Sequence, residues 1–148
     1  MLTLRQAKAI SAILRERLAA GDAVRLNVPT DSMLPMIAPG DSITVRGLNI
    51  ARVARGDIIL YEKDDTLHVH RLLYKKIKEN RIIFTTKGDA CIRKDVPLKA
   101  ESVLGRVVAI QKRRKTINLQ MPSRKAINCI FALFSSAQDK IILAVRGY

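Results

Sequence analysis

The chain contains no tryptophan, three phenylalanines, three tyrosines, two cysteines and two histidines in 148 residues. So few aromatic rings leave little for bases to stack on, and no nucleic-acid motif accompanies the positive charge, so a nucleic-acid partner is not expected. Cys91 and Cys129 are too few and too far apart for a disulfide framework or a zinc site. Both are expected as small buried hydrophobes. No stretch approaches the roughly 20 apolar residues that a membrane-spanning helix needs. The amino-terminal segment carries Arg5, Lys8, Arg15 and Arg17 where a secretory signal keeps an unbroken apolar core. Acidic residues are scarce as well: 13 stand against 27 lysines and arginines, the net charge is +14, and none occurs between Glu101 and Asp139. Repeats and low-complexity tracts are missing. What is present is a chain with 48% hydrophobic residues, enough for one compact domain to bury a core.

Leu4, Ala7, Ile10, Ile13, Leu14 and Leu18 recur at helical spacing ahead of Gly21, which predicts an amphipathic first helix that stops there. Alternating or β-rich segments predict strands at 24–28, 42–45, 57–61, 67–74, 81–86, 103–110 and 116–119, with Glu79 and Asn80 as the tip of a hairpin. The expected fold is mainly β with flanking helices. Residues 1–22 form the amino-terminal helix, 23–120 the β domain and 121–148 a basic, amphipathic carboxy-terminal helix.

A serine hydroxyl is a poor nucleophile unless a neighbouring base takes its proton, so the surroundings of Ser32 in Thr30-Asp31-Ser32-Met33-Leu34-Pro35 gain interest from the two histidines. A serine in a turn says little by itself. His68 and His70 alternate with Leu67 and Val69, so on a strand they share one face while the apolar pair anchors the other. As half of a metal site they lack a completing cluster, and no metal is expected. Further on, the segment 84–97 leaves a strand through the Gly88-Asp89 turn and offers two carboxylates, Asp89 and Asp95. Either could accept the imidazole N–H, fixing the productive tautomer and stabilising the imidazolium.

The four blocks occur in a telling order: Ser-Met-x-Pro at Ser32 to Pro35, Gly-Asp-x-x-x-Tyr at Gly56 to Tyr61, Val-His-Arg at Val69 to Arg71, and Lys-Gly-Asp followed by a further aspartate at Lys87 to Asp95. This order resembles the signal peptidase I family, in the branch that uses histidine as the base, over roughly residues 24 to 110. The resemblance implies the coiled β-sheet fold shared by signal peptidases and LexA, and a serine endopeptidase that removes a leader or signal-type peptide without a cofactor. It gives Ser32 as nucleophile, His70 as general base and Asp95 as the residue that orients His70. Thr30 takes the place of a hydroxyl that supports the oxyanion hole. Asp31 stands where the family commonly has glycine. Asp89 is expected to brace its turn, and Lys87 to pair with a carboxylate or line the cleft. The implied substrate is an extended peptide or protein segment laid along a strand edge, with small residues before the cut.

Two further readings share the fold. A LexA-type self-cleaving peptidase uses lysine as base behind a DNA-binding domain, for which residues 1–22 leave no room. A non-catalytic peptide- or nucleic-acid-binding module would keep the architecture without the chemistry. The carboxy-terminal segment carries a separate signal. After Arg106, Lys112, Arg113, Arg114, Lys115, Arg124 and Lys125, the residues Ile127, Ile130, Phe131, Phe134, Ile141 and Val145 fall near one helical face. That pattern suits an interfacial anchor on an anionic membrane surface, or a helix packed on the β domain or on a second subunit. The expected location is the cytoplasm, either free or peripheral at the inner face of the membrane.

Overall fold

A computed structural model describes residues 4–145, with the side chains of 4, 5, 7 and 135–145 outside the described set. Helix α1 (Leu4–Ala19) is followed by strands β1 (Ala23–Asn27), β2 (Ser42–Arg46), β3 (Ile58–Lys63), β4 (Thr66–Lys78), β5 (Arg81–Lys87), β6 (Leu98–Lys99), β7 (Val103–Gln111) and β8 (Thr116–Asn118), and the chain closes with helix α2 (Pro122–Val145). The strands form one antiparallel sheet in the order β1-β2-β7-β3-β4-β5-β6, with β8 also paired to β7. The protein is therefore mainly β with a helix at each end. Short 3-10 turns at Ile50–Arg52 and Ala100–Ser102, and the two-residue strand β6, have no counterpart in the sequence periodicity.

Two hairpins depend on residues with positive φ. Glu79 and Asn80, at φ 49 and 60, turn β4 into β5, and Asp64 and Asp65, at φ 51 and 59, turn β3 into β4. Such paired left-handed turns match the twist of the strands they join, and Asn and Asp tolerate the conformation. β3 lies at the centre and is buried along most of its length. Its alternate residues serve different cores. Ile58 and Leu60 pack with Met33, Ile37, Ile43, Val45, Val107 and Ile110, whereas Ile59 and Tyr61 pack with Leu72, Phe84 and Leu98.

Helix α1 buries Leu14 and Leu18 and ends at Gly21, whose φ of 90° is open to glycine. Ile13, grouped with them by spacing, stays exposed because the contacting stripe is narrower than the apolar pattern. Arg15 and Lys8 tie the helix to Glu62 and Asp65 at the β3–β4 hairpin, each at 3.6 Å.

Helix α2 packs on the sheet through Asn128 and Ala132, both buried, and through Phe131, whose ring centroid lies 5.3 Å from the Arg71 guanidinium carbon. Of the apolar residues assigned to one face by spacing, Ile130 and Phe134 point instead to solvent, and the side chains of Ile141 and Val145 lie outside the described residues. The helix backbone lies close over Gly56. This glycine has φ 93, and a Cβ there would sit 2.7 Å from the backbone of Asn128 and Cys129.

Gly56→Ala should therefore combine backbone strain with a clash and lower stability by about 2–4 kcal/mol. Gly21→Ala has a similar φ but nothing within 4 Å, and should cost about 1 kcal/mol. Denaturant melts of the two variants check this; equal losses would mean that α2 does not press on Gly56.

Candidate active site

Ser32 sits in a closed loop between β1 and β2. Backbone bonds at the base of the loop join Val28 N–H to the Asp41 carbonyl and Gly40 N–H to the Val28 carbonyl, each at 2.9 Å. Within the loop the Asp41 carboxylate accepts from Ala38 N–H at 2.9 Å and from Lys112 Nζ at 2.6 Å. Burial works to raise the Asp41 pKa, but these two donors outweigh it and hold the carboxyl below its ordinary range. Met33 and Ile37 drive the loop into the core, which leaves Ser32 half-buried beside them. Its Oγ lies 3.5 Å from Thr30 Oγ1.

His70 comes from β4, where the period-2 pattern sends Leu67 and Val69 to one core and the two imidazoles to the opposite face. His70 Nδ1 is 2.7 Å from Asp95 Oδ2. Donation from Nδ1 to the carboxylate leaves Nε2 with its lone pair, the form in which an imidazole accepts a proton. Asp95 is fixed from two sides by Thr86: its own N–H donates to the Thr86 carbonyl at 2.8 Å, and the Thr86 hydroxyl donates to Oδ2 at 2.6 Å. The Tyr61 hydroxyl also donates to Oδ2, at 3.1 Å, and lies 3.2 Å from His70 Nδ1. Burial pushes the Asp95 pKa up, yet the hydrogen bonds from His70, Thr86 and Tyr61 prevail and lower it. The same burial and the nearby Asp95 charge push the Tyr61 phenol up, so it remains a donor.

Gly88 brings the serine and histidine elements together. A Cβ at this position would lie 2.6 Å from the Ser32 carbonyl oxygen, 3.1 Å from His70 Nε2 and 2.6 Å from Cys91 Sγ, so only glycine fits between them. Ala90 N–H donates to the same Ser32 carbonyl at 2.9 Å. Ser32 and His70 thus flank one turn, although Ser32 Oγ rests on Thr30 and does not hydrogen-bond Nε2. Such contacts are commonly open in ligand-free sites and close on substrate. Both cysteines, expected as buried, are half-buried: Cys91 at the rim of this site and Cys129 on α2. Burial and the Asp95 charge raise the Cys91 pKa, which keeps the thiol protonated and weakly nucleophilic.

Asp89 takes a separate role from Asp95. Its two oxygens accept from Arg71 Nε at 2.7 Å and from Arg71 Nη2 at 2.6 Å, and the pair is 0% and 3% exposed at its side chains. Arg71 also donates to the Gly56 carbonyl at 3.0 Å and to Met36 Sδ at 3.3 Å. Lys87, opposite Arg71 in the strand register, is fully buried. His68 is half-buried and stacks on Tyr61 at 5.2 Å between centroids. Its pKa is lowered, first by burial and then by the charge of His70. Its ring is 6.0 Å from that of His70, and among the described residues no group of three or more metal-ligating side chains gathers.

Three polar side chains of the site carried no assigned role in the sequence: Tyr61 and Thr86 as donors to Asp95, and Arg71 as the partner of Asp89. Tyr61 and Arg71 fall inside the recognised blocks, so position gave a signal for them. Thr86 gave none beyond lying just before Lys87. Compared with known proteins, the sequence matches no family model, and a search of curated proteins finds no match either.

Asp95→Asn and Asp89→Asn should separate the two carboxylates. Removing the Asp89 charge leaves Arg71 buried without its counter-ion and should cost about 3–5 kcal/mol in a denaturant melt. For Asp95 the folded pKa lies below the unfolded value, so its stabilising contribution is complete above the ordinary carboxylate range near pH ~4 and is lost as pH falls through the folded pKa. The melting difference between the native chain and Asp95→Asn should accordingly shrink on acidification. A difference that grows in acid would contradict the assigned hydrogen bonding.

Proposed function

We propose that this chain is a serine endopeptidase of the signal peptidase type, built on the coiled β-sheet that the sequence blocks imply. The observation that carries the reading is the convergence at Gly88: an imidazole with Nδ1 held by Asp95 and Nε2 turned to the same small space as the Ser32 backbone. In this reading Ser32 Oγ attacks the peptide carbonyl carbon while His70 Nε2 takes the hydroxyl proton. The amine leaves with that proton, and water, deprotonated by the same nitrogen, releases the acyl group from Ser32. Ser32 N–H and the Thr30 hydroxyl would hold the oxyanion. Asp31 is exposed, where solvent screens its charge from that oxygen.

Two features favour an extended, partly apolar peptide as substrate. Among the described residues β1 pairs with β2 alone, so its other edge offers unpaired backbone groups along the path that leads into Ser32. Leu34, two residues beyond Ser32, is exposed, as are Ile92 and Val96, next in sequence to Cys91 and Asp95. A chain segment lying there would cover apolar surface otherwise left to water. A leader or signal-type peptide fits this description.

A serine-directed activity probe on the purified chain tests the proposal. Labelling should vanish in Ser32→Ala, and peptide turnover should fall on the order of 10³-fold or more in His70→Ala and in Asp95→Asn. His68→Ala should keep turnover within the same order of magnitude. Equal labelling of Ser32→Ala, or undiminished turnover without His70, would leave the chain as a peptide-binding module on this fold.

A further inference from the structure

We propose that Asp31 is a specificity-determining residue that selects peptides carrying a lysine or arginine beside the cut bond, an inference that rests on the peptidase reading and names the substrate class of its site. Asp31 is exposed and immediately precedes Ser32. Its backbone is fixed, because its carbonyl accepts from Leu34 N–H at 3.0 Å in the turn that carries Ser32. Its carboxylate is not: among the described residues no hydrogen bond or ion pair engages it. The other carboxylates of this region are all taken, Asp41 by Lys112, Asp57 by Arg106, Asp89 by Arg71 and Asp95 by His70. With 27 lysines and arginines against 13 acidic residues in the chain, a carboxylate here that pairs with none of them keeps its charge open to a ligand. That charge reaches the rim of the site. The Cys91 pKa is raised first by burial and next by Asp95, and Asp31 acts in the same direction.

A peptide that follows the free edge of β1 to Ser32 passes Asp31 with the residues nearest the cut, since neighbours in an extended chain are only about 3.3 Å apart. Solvent separates the Asp31 carboxylate from the oxyanion, but a lysine or arginine side chain is long enough to meet it directly, and an acidic side chain in the same place is repelled. The net charge of +14 disfavours basic peptides at long range. At physiological salt a screening length of about 8 Å confines the choice to groups close to contact, where Asp31 dominates and Arg71, Arg106 and Lys112 are already neutralised by their partners. An exposed ion pair is weak, so the outcome is a bias among substrates and not an absolute requirement. Glycine, common at this position in the family that the sequence blocks resemble, could exert no such choice.

Digestion of a random peptide library by the full chain, with the cut sites read by mass spectrometry, tests this. Lysine and arginine within about two residues of the cut should be enriched over aspartate and glutamate by about threefold to tenfold, and the enrichment should weaken as salt is added. Asp31→Asn should abolish it, Asp31→Lys should reverse it and Asp31→Glu should retain it, a pattern that loss of folding or of general activity does not produce. The Ser32→Ala chain gives a reading without catalysis: peptides that it retains from the same library should be richer in lysine and arginine than those retained by the double variant Ser32→Ala, Asp31→Asn. If the native chain cuts nothing, the peptidase reading fails and this comparison of retained peptides decides the role of Asp31. Equal residue preferences with and without the Asp31 charge, in cleavage where the native chain cuts or in retention where it does not, overturn the proposal.

Discussion

The Arg71 guanidinium lies wholly out of contact with solvent, and the bidentate grip of Asp89 is what allows it to be there. An isolated buried cation is too costly to persist, so the position of Asp89 is dictated by Arg71, and the turn from Gly88 to Cys91 follows. The rest of the site hangs on this pair. Arg71 is the neighbour of His70 on β4, and Asp89 is the neighbour of Gly88, so closing the ion pair sets the imidazole against the turn whose Ala90 N–H binds the Ser32 carbonyl. The remaining donors of the guanidinium reach Gly56 and Met36, and its face receives Phe131. One side chain thus joins β4, the Gly88 turn, the Ser32 loop and α2.

Around His70 the electrostatics are one-sided. Three donors converge on Oδ2 of Asp95, which concentrates the negative charge at the atom nearest the imidazole and holds the carboxyl ionised. Tyr61 serves twice, as a donor to Asp95 and as the ring on which His68 stacks. The neighbouring histidine is kept short of protons by burial and by His70. A second positive charge beside the proposed base is thereby avoided.

The strands with clear alternation were legible from sequence because each buries one face on its own terms: β2, β4, β5 and β7 fall within a few residues of their expected ends. β6 was not, since Leu98–Lys99 becomes a strand only through its pairing with Ile83 and Phe84, which no local pattern records. The site shows the same division. Ser32, His70 and Asp95 could be singled out by residue type and block order, and Asp89 could be set apart from Asp95 by position. Its tie to Arg71 could not be read, because it is made across the fold and not along the chain. The carboxy-terminal helix was ambiguous for a physical reason: it is apolar on two sides, and spacing alone does not say which side meets protein.

The division of labour along β3 has a mechanical consequence. Ile58 and Leu60 belong to the core that anchors Met33 and Ile37, and hence the Ser32 loop, while Ile59 and Tyr61 belong to the core that carries Leu72 and Phe84 beneath His70. The hydroxyl is thus mounted on the first core, while the strand that carries the imidazole reaches both, the first through Leu67 and Val69 and the second through Leu72. The separation of hydroxyl and imidazole therefore depends on both packed bodies and is not a property of either alone. A change of volume deep in one of them, far from any reacting atom, would shift one mounting relative to the other and detune the pair while leaving every polar contact of the site in place.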